Sequence, residues 1–354
     1  MTDASKFCNK SLTLPFTNAM IRFYVFAIFV LLAGCKNGKD KPDVSDIKVD
    51  VRIERFEQSF FKIDTNNIAR GLADLRNAFP RFYPVFMQDI LQVNPMDTNS
   101  FVVVKNIINS YGPINDSIQK KYTDLGWLKD ELTEGFKYVK HYYPQYKVPG
   151  VITFISTLDA PGVVLTSDHI GIGLHQYAGK NFSVYQAEPV LQMYPTYISR
   201  RFDKEYITTN CMKAVADDIY PDKTAGRPLI EQMVEKGKHW FLLDKFLPDA
   251  PDSVKTGYTK KQLDWVNDNE GNVWAYIVKN ENDIYSIDPA TIQTYIGEAP
   301  NTQVMTEASP GNIGQWIGWR IVQEYATKHA EASLQQILET PAKTIFEESK
   351  YKPK

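Results

Sequence analysis

Cysteine is scarce in the 354-residue chain. There are three, too few for a disulfide scaffold or a Cys-rich zinc module. Neither charge sign is in excess: the formal net charge is −2 at pH 7. That excludes the basic face by which nucleic-acid proteins are read, so no nucleic-acid partner is expected. The chain has no phosphate loop, no G-x-G-x-x-G and no G-x-S-x-G elbow, which removes the commonest nucleotide and hydrolase signatures. Gly171-Ile172-Gly173 lacks the third glycine and falls inside an expected strand. Residues 47–354 hold no internal repeat, no Pro/Gly/Ser linker and no apolar run near the roughly 18 residues of a membrane span. Aromatics, by contrast, are abundant, with 20 Tyr, 19 Phe and 6 Trp in a chain that is 43% hydrophobic. A real core is therefore expected.

The N-terminus carries the strongest signal. Arg22 precedes an unbroken apolar run from Phe23 to Leu32, followed by Ala33-Gly34-Cys35. The run is too short for a mature membrane helix and fits the apolar region of a secretory signal. Leu32-Ala33-Gly34-Cys35 resembles the bacterial lipobox, whose cysteine is acylated (palmitate is the typical chain) and becomes the new N-terminus. Residues 1–34 are thus read as a signal peptide. Residues 1–19 do not fit a signal, and Met20 offers a second start that would leave Cys8 out of the protein. Cleavage before Cys35 removes Lys6, Lys10, Arg22 and Asp3 and leaves a net charge of −4. Cys211 is then a lone thiol, read as a small buried hydrophobe. The lipidated Cys35 and the polar stretch to Asp46 are read as anchor and tether. Residues 36–40 lack a dense acidic run, which favours a body facing the periplasm.

Periodicity predicts one α+β domain over 47–354, mostly helical with a small sheet. Val49–Phe56 alternates as a half-buried strand, and Phe56–Phe86 has looser helical spacing. Leu128, Leu132, Phe136 and Val139 form one stripe of a helix over 124–141. Val151–Ser156 reads as a buried strand. Val163–Tyr177 reads as two strands turning at Ser167-Asp168. In the second, Ile170, Ile172 and Leu174 face one way, and His169, Gly171, Gly173 and His175 the other. A helix near 226–242 carries Leu229, Met233, Gly237, Trp240 and Phe241 on one face. Ser309-Pro310 is read as a helix start with Ser309 as N-cap. Gly314 and Gly318, one turn apart beyond it, would let another backbone approach. Thr340-Pro341 opens a last helix.

Candidate chemistry is sparse. The five His are spread along the chain. His169 and His175 would sit about 20 Å apart on one strand, too far to share a metal. Glu231, Glu235 and His239 recur at i, i+4 and i+8 and could line a groove, although a solvated helix face explains them as well. Asp217, Asp218 and Asp222 could lie near an ion or simply cap helices. Tyr138, Tyr142, Tyr143 and Tyr146, and Tyr194 with Tyr197, cluster as core or as contact surface. No cofactor is expected.

Several segments resemble the GldB lipoproteins of the Bacteroidetes gliding machinery. These are Arg55–Asp64, Ile170–His175, Leu229–Trp240, Leu247-Pro248, Gly257-Tyr258-Thr259, Trp265, Asn272–Trp274, Tyr285-Ser286, Ser309–Val322 and Ser349–Pro353. The resemblance implies a role in gliding motility and in the associated type IX secretion system, with other envelope proteins as partners. That family is also distantly similar to predicted zinc metalloproteases with His-Glu-x-x-His on a helix, which implies a zincin-like core. The matching window here is Ile230-Glu231-Gln232-Met233-Val234. Glu231 keeps its slot, but Ile230 and Val234 replace both histidines, and an apolar pair cannot hold zinc. The expectation is a non-enzymatic binding or scaffold subunit anchored to the membrane through Cys35. Two alternatives stand: an envelope hydrolase with a site rebuilt from Glu231, Glu235 and His239, and a glycan- or peptidoglycan-binding lipoprotein that stacks sugars on its aromatics.

Overall fold

The computed structural model describes residues 41–279 and 284–353. The expected signal peptide, Cys8, Met20, Cys35 and the expected tether as far as residue 40 lie outside the described residues. The compact body begins at Asp43, and Val44 is already buried.

A four-stranded sheet has the order β1-β2-β4-β3. β1 is Ile53–Arg55, β2 Gly150–Phe154, β3 Val163–Leu165 and β4 His169–Gly173. β1 and β4 run parallel to β2, with Ile53 opposite Val151 and Val151 opposite Ile170; β3 returns antiparallel along β4. The helices used below are α1 (Phe56–Phe60), α2 (Ile68–Ala78), α3 (Asn99–Lys121), α4 (Gly126–Tyr142), α5 (Ile207–Ile219), α6 (Leu229–Phe246), α7 (Pro289–Ile296), α8 (Ile313–Lys328), α9 (Leu334–Glu339) and α10 (Ala342–Ser349). No helix among the described residues is long and apolar enough to cross a membrane. The domain is α+β and mostly helical, as the periodicity predicts.

The sheet separates two cores. Val151, Ile170, Ile172 and Leu174 face the larger one, with the stripe Leu128, Leu132, Phe136 and Val139 of α4, every member of which is fully buried. Ile152 and Phe154 face a Phe-rich core built from Phe56 to Ile90. The glycines of β4 serve this second face. A Cβ at Gly171 would come within 3.1 Å of the Phe82 ring and 3.3 Å of the Phe154 ring, so any side chain there would make those rings give way.

Three local expectations need correction. The strand expected over Val49–Phe56 pairs only over Ile53–Arg55, because Phe56 opens α1 and turns its ring into the second core, against Phe86 at 4.6 Å. The strand expected to reach Tyr177 stops at Gly173, and Leu174–Gln176 form a 3-10 turn. The His175 ring holds that turn through hydrogen bonds to the 155–160 segment. Ser309 is not a helix cap. Its hydroxyl donates to the Thr306 carbonyl at 2.6 Å and accepts from the Thr302 amide at 3.2 Å. α8 begins after Asn312, which is left-handed at φ 44°.

α6 runs through the middle of the larger core and is buried on nearly every side. It crosses α8 in near backbone contact. A Cβ on Gly318 would lie 1.7 Å from the Met233 carbonyl oxygen, and one on Gly237 2.2 Å from the Gly318 carbonyl carbon. The close approach read from Gly314 and Gly318 is thus made by Gly318 with Gly237. Gly314 instead fits beneath the Tyr295 carbonyl of α7, 3.0 Å from where its Cβ would be.

Candidate functional site

α6 carries the residues singled out by their spacing, and burial separates them. Ile230 and Val234 point into the core, 2% and 0% exposed. Glu231, half-buried, accepts from Arg227 Nη1 at 3.2 Å. Glu235 is buried rather than solvated. It accepts from the Tyr220 hydroxyl at 2.7 Å and from Lys238 Nζ at 3.2 Å. Lys238 is buried too and also donates to the carbonyls of Leu338 (2.9 Å) and Thr340 (2.8 Å), at the end of α9. Burial lowers the Lys238 pKa while the Glu235 carboxylate opposes that shift. Burial, reinforced by the hydrogen bond to Glu235, pushes the Tyr220 hydroxyl well up. The group is a satisfied polar knot tying α5, α6 and α9 together, because a buried charge demands a partner. His239, one turn on, packs edge-on against the Tyr220 ring at 5.6 Å and pairs with Asp217 of α5, Nδ1 to Oδ1 2.8 Å. Glu231 and Glu235 both reach Arg227, and Glu235 and His239 both meet Tyr220, so the three keep one row of α6, of which His239 lines the groove described next.

His239 opens onto a groove of about 490 Å³ between α5, α6 and the start of α8. Lys213 and Asp217 come from α5 and Lys236, Trp240 and Leu243 from α6, while Arg201, Glu298 and Asn312 come from flanking segments. Arg201 pairs with Glu298 at 3.2 Å and Lys236 with Asp222 at 2.5 Å. Burial works against ionisation of Asp222, but its hydrogen bonds from Lys236 and Thr224 win and hold its pKa at about 2. The acidic trio Asp217, Asp222 and Asp218 is thus spent on His239, Lys236 and Tyr146. Gly257, at φ 73°, lies under the Arg201 side chain, with no room for a Cβ beside its guanidinium at 2.9 Å.

The remaining singled-out residues are engaged in packing and hydrogen bonds. His175 is fully buried; its Nδ1 accepts from the Ser156 amide at 3.3 Å and its Nε2 donates to the Ala160 carbonyl at 3.1 Å. Burial pushes its pKa down to about 4. His329 stacks on Tyr325 at 4.1 Å, and His141 sits edge-on to Tyr142. His169 packs edge-on to Phe82. Among the described residues no three His, Cys, Asp or Glu side chains are arranged to hold a metal. Tyr138 is buried, while Tyr142, Tyr143 and Tyr146 are partly buried against the larger core. Tyr194 meets Phe202 edge-on at 5.1 Å in a small third cluster. These rings pack inward. Cys211 is fully buried, and burial pushes its thiol up.

The sequence profile described as gliding motility protein GldB matches residues 37–353, which takes in the whole described body. The chain belongs to the GldB family. No curated protein and no solved structure matches it. Family membership ties this GldB chain to gliding motility. Within it the segment Leu229–Trp240 is the central helix α6, and Ser309–Val322 holds the glycine crossing of α8. Spacing alone missed Lys213, Arg201, Lys238 and Asp244. Lys238 had a readable signal: one turn after the apolar Val234 and one before the apolar Leu242, it is a charge inside an apolar row. Asp244 sits one turn beyond Trp240 and accepts from Lys255 at 2.7 Å and the Trp319 indole at 2.8 Å.

Proposed function

We propose that this GldB chain is a lipid-anchored, periplasm-facing subunit of the gliding apparatus and its associated type IX secretion machinery, acting by binding other envelope proteins rather than by catalysis. Membership in the family over residues 37–353 carries the reading. Further support comes from α6. Positions 230 and 234, where a His-Glu-x-x-His protease would place its zinc ligands, are apolar core residues here. The neighbouring carboxylate Glu235 is consumed by Tyr220 and Lys238. That is how a helix of metalloprotease ancestry would look after losing its metal. Among the described residues Glu231 keeps its ion pair with Arg227.

The test replaces the chromosomal copy with Glu231→Ala in a gliding host. Colony spreading and secretion of surface adhesins should persist at normal protein level, while deletion of the gene abolishes both. Loss of gliding in Glu231→Ala with the protein present at its normal level would overturn the non-catalytic reading.

A further inference from the structure

The groove between α5, α6 and the start of α8 carries a charge that the fold does not use. Its other basic side chains have acidic partners: Arg201 has Glu298, Lys236 has Asp222 and the His239 ring has Asp217. Lys213 has neither a hydrogen bond nor an ion pair among the described residues. It projects from α5 one turn before Asp217 and is partly buried. We propose that this groove binds an oxyanion head group, a carboxylate or a phosphate, with Lys213 as the cation that receives it.

Four observations carry the proposal. A partly buried ammonium without a counterion is costly, and an exchangeable anion removes that cost. The volume, about 490 Å³, lies within the roughly 300–1,000 Å³ of small-molecule sites. The floor is apolar, with Ala216, Leu243 and Trp240 all nearly inaccessible, so a charge interaction there is screened less than at an open surface. The start of α8 adds positive potential from the other side, since Asn312 and Gln315 line the groove and no side chain caps that helix. Burial and the nearby Arg201 charge push the Lys213 pKa down to about 8, against the pull of Glu298 and Asp217. An anion seated on Lys213 would relieve that shift.

The proposal goes beyond the gliding role and does not depend on it. It is tested on the full-length protein in detergent. Lysine acylation by acetic anhydride is read residue by residue by mass spectrometry at pH 7.5, with sodium chloride matching ionic strength. Inorganic phosphate and acetate are the two probes. Protection of Lys213, at least threefold and selective over the exposed Lys260, is expected with one or both probes. Phosphate alone would identify a phosphoryl head and acetate alone a carboxylate head. In parallel, Lys213→Gln should weaken calorimetric binding of the effective probe about tenfold, and Lys213→Arg should restore it, as one charge-assisted contact predicts. Equal acylation of Lys213 with and without both probes would overturn the proposal, because a lysine that merely extends to solvent behaves that way.

Discussion

His175 shows at the residue scale how burial alone sets chemistry. Its ring is enclosed and hydrogen-bonded as the neutral form, with a pKa of about 4 against 6.5 for the ordinary group. Between these values the unfolded chain takes up a proton that the native chain refuses. Stability from this residue is therefore complete above pH 6.5 and is lost as the pH falls towards 4, by about 3 kcal/mol in all. Urea unfolding of the wild type from pH 7 to pH 4 should show this loss. In His175→Gln the slope over that window should fall by about one proton, whatever the variant's absolute stability. An unchanged slope would assign the acid sensitivity elsewhere. Lys238 argues from the opposite side, as a buried cation kept by four acceptors rather than neutralised. Lys238→Met leaves Glu235 buried with only the Tyr220 hydroxyl and the more distant Arg227. It should cost about 3–5 kcal/mol, read from the denaturant midpoint.

At the scale of elements, the α6–α8 crossing is the feature most exposed to test. Alanine is the better helix former by about 1 kcal/mol, so propensity alone favours Gly318→Ala. The structure predicts the reverse, because a methyl group would lie 1.7 Å from the Met233 carbonyl oxygen and must push two backbones apart. A net loss of about 2 kcal/mol or more is expected from chemical denaturation. Gly112, which has nothing within 4 Å of its would-be Cβ, should gain or hold stability on the same substitution and serves as the control. Elements also explain where sequence signals failed. Ser309-Pro310 has the composition of a helix start, yet its hydroxyl serves a loop that folds back to Thr302. A short-range cap signal lost to a tertiary contact.

For the whole molecule, the proposed lipid anchor and the described body would make separable contributions. The body has no membrane-crossing helix among its described residues, and stable anchoring by lipid needs two membrane-binding signals, such as two acyl chains. Under the proposed lipid attachment, Cys35→Ala should move the protein from the membrane pellet to the soluble fraction. Complete retention in the pellet would shift the anchoring to protein partners.

The sequence by itself determined the class of the fold, the helices α4 and α6, the strands β2 and β4, and the family, but neither α3 nor α5. Those follow from hydrophobic periodicity and from the order of many short segments, which are local properties of the chain. It also marked Gly318 as a point of close approach, since small residues one turn apart signal a tight helix face. Only the tertiary structure decided that Glu235 is buried while His239 is not, for a helix enclosed on nearly every side has no solvent face for spacing to reveal. Only it decided that Lys213 lacks a partner among the described residues. The groove around that lysine is assembled from Arg201, Asp217, Lys236, Glu298 and Asn312, up to about a hundred residues away along the chain, and no local pattern records which charges of a folded body end up side by side.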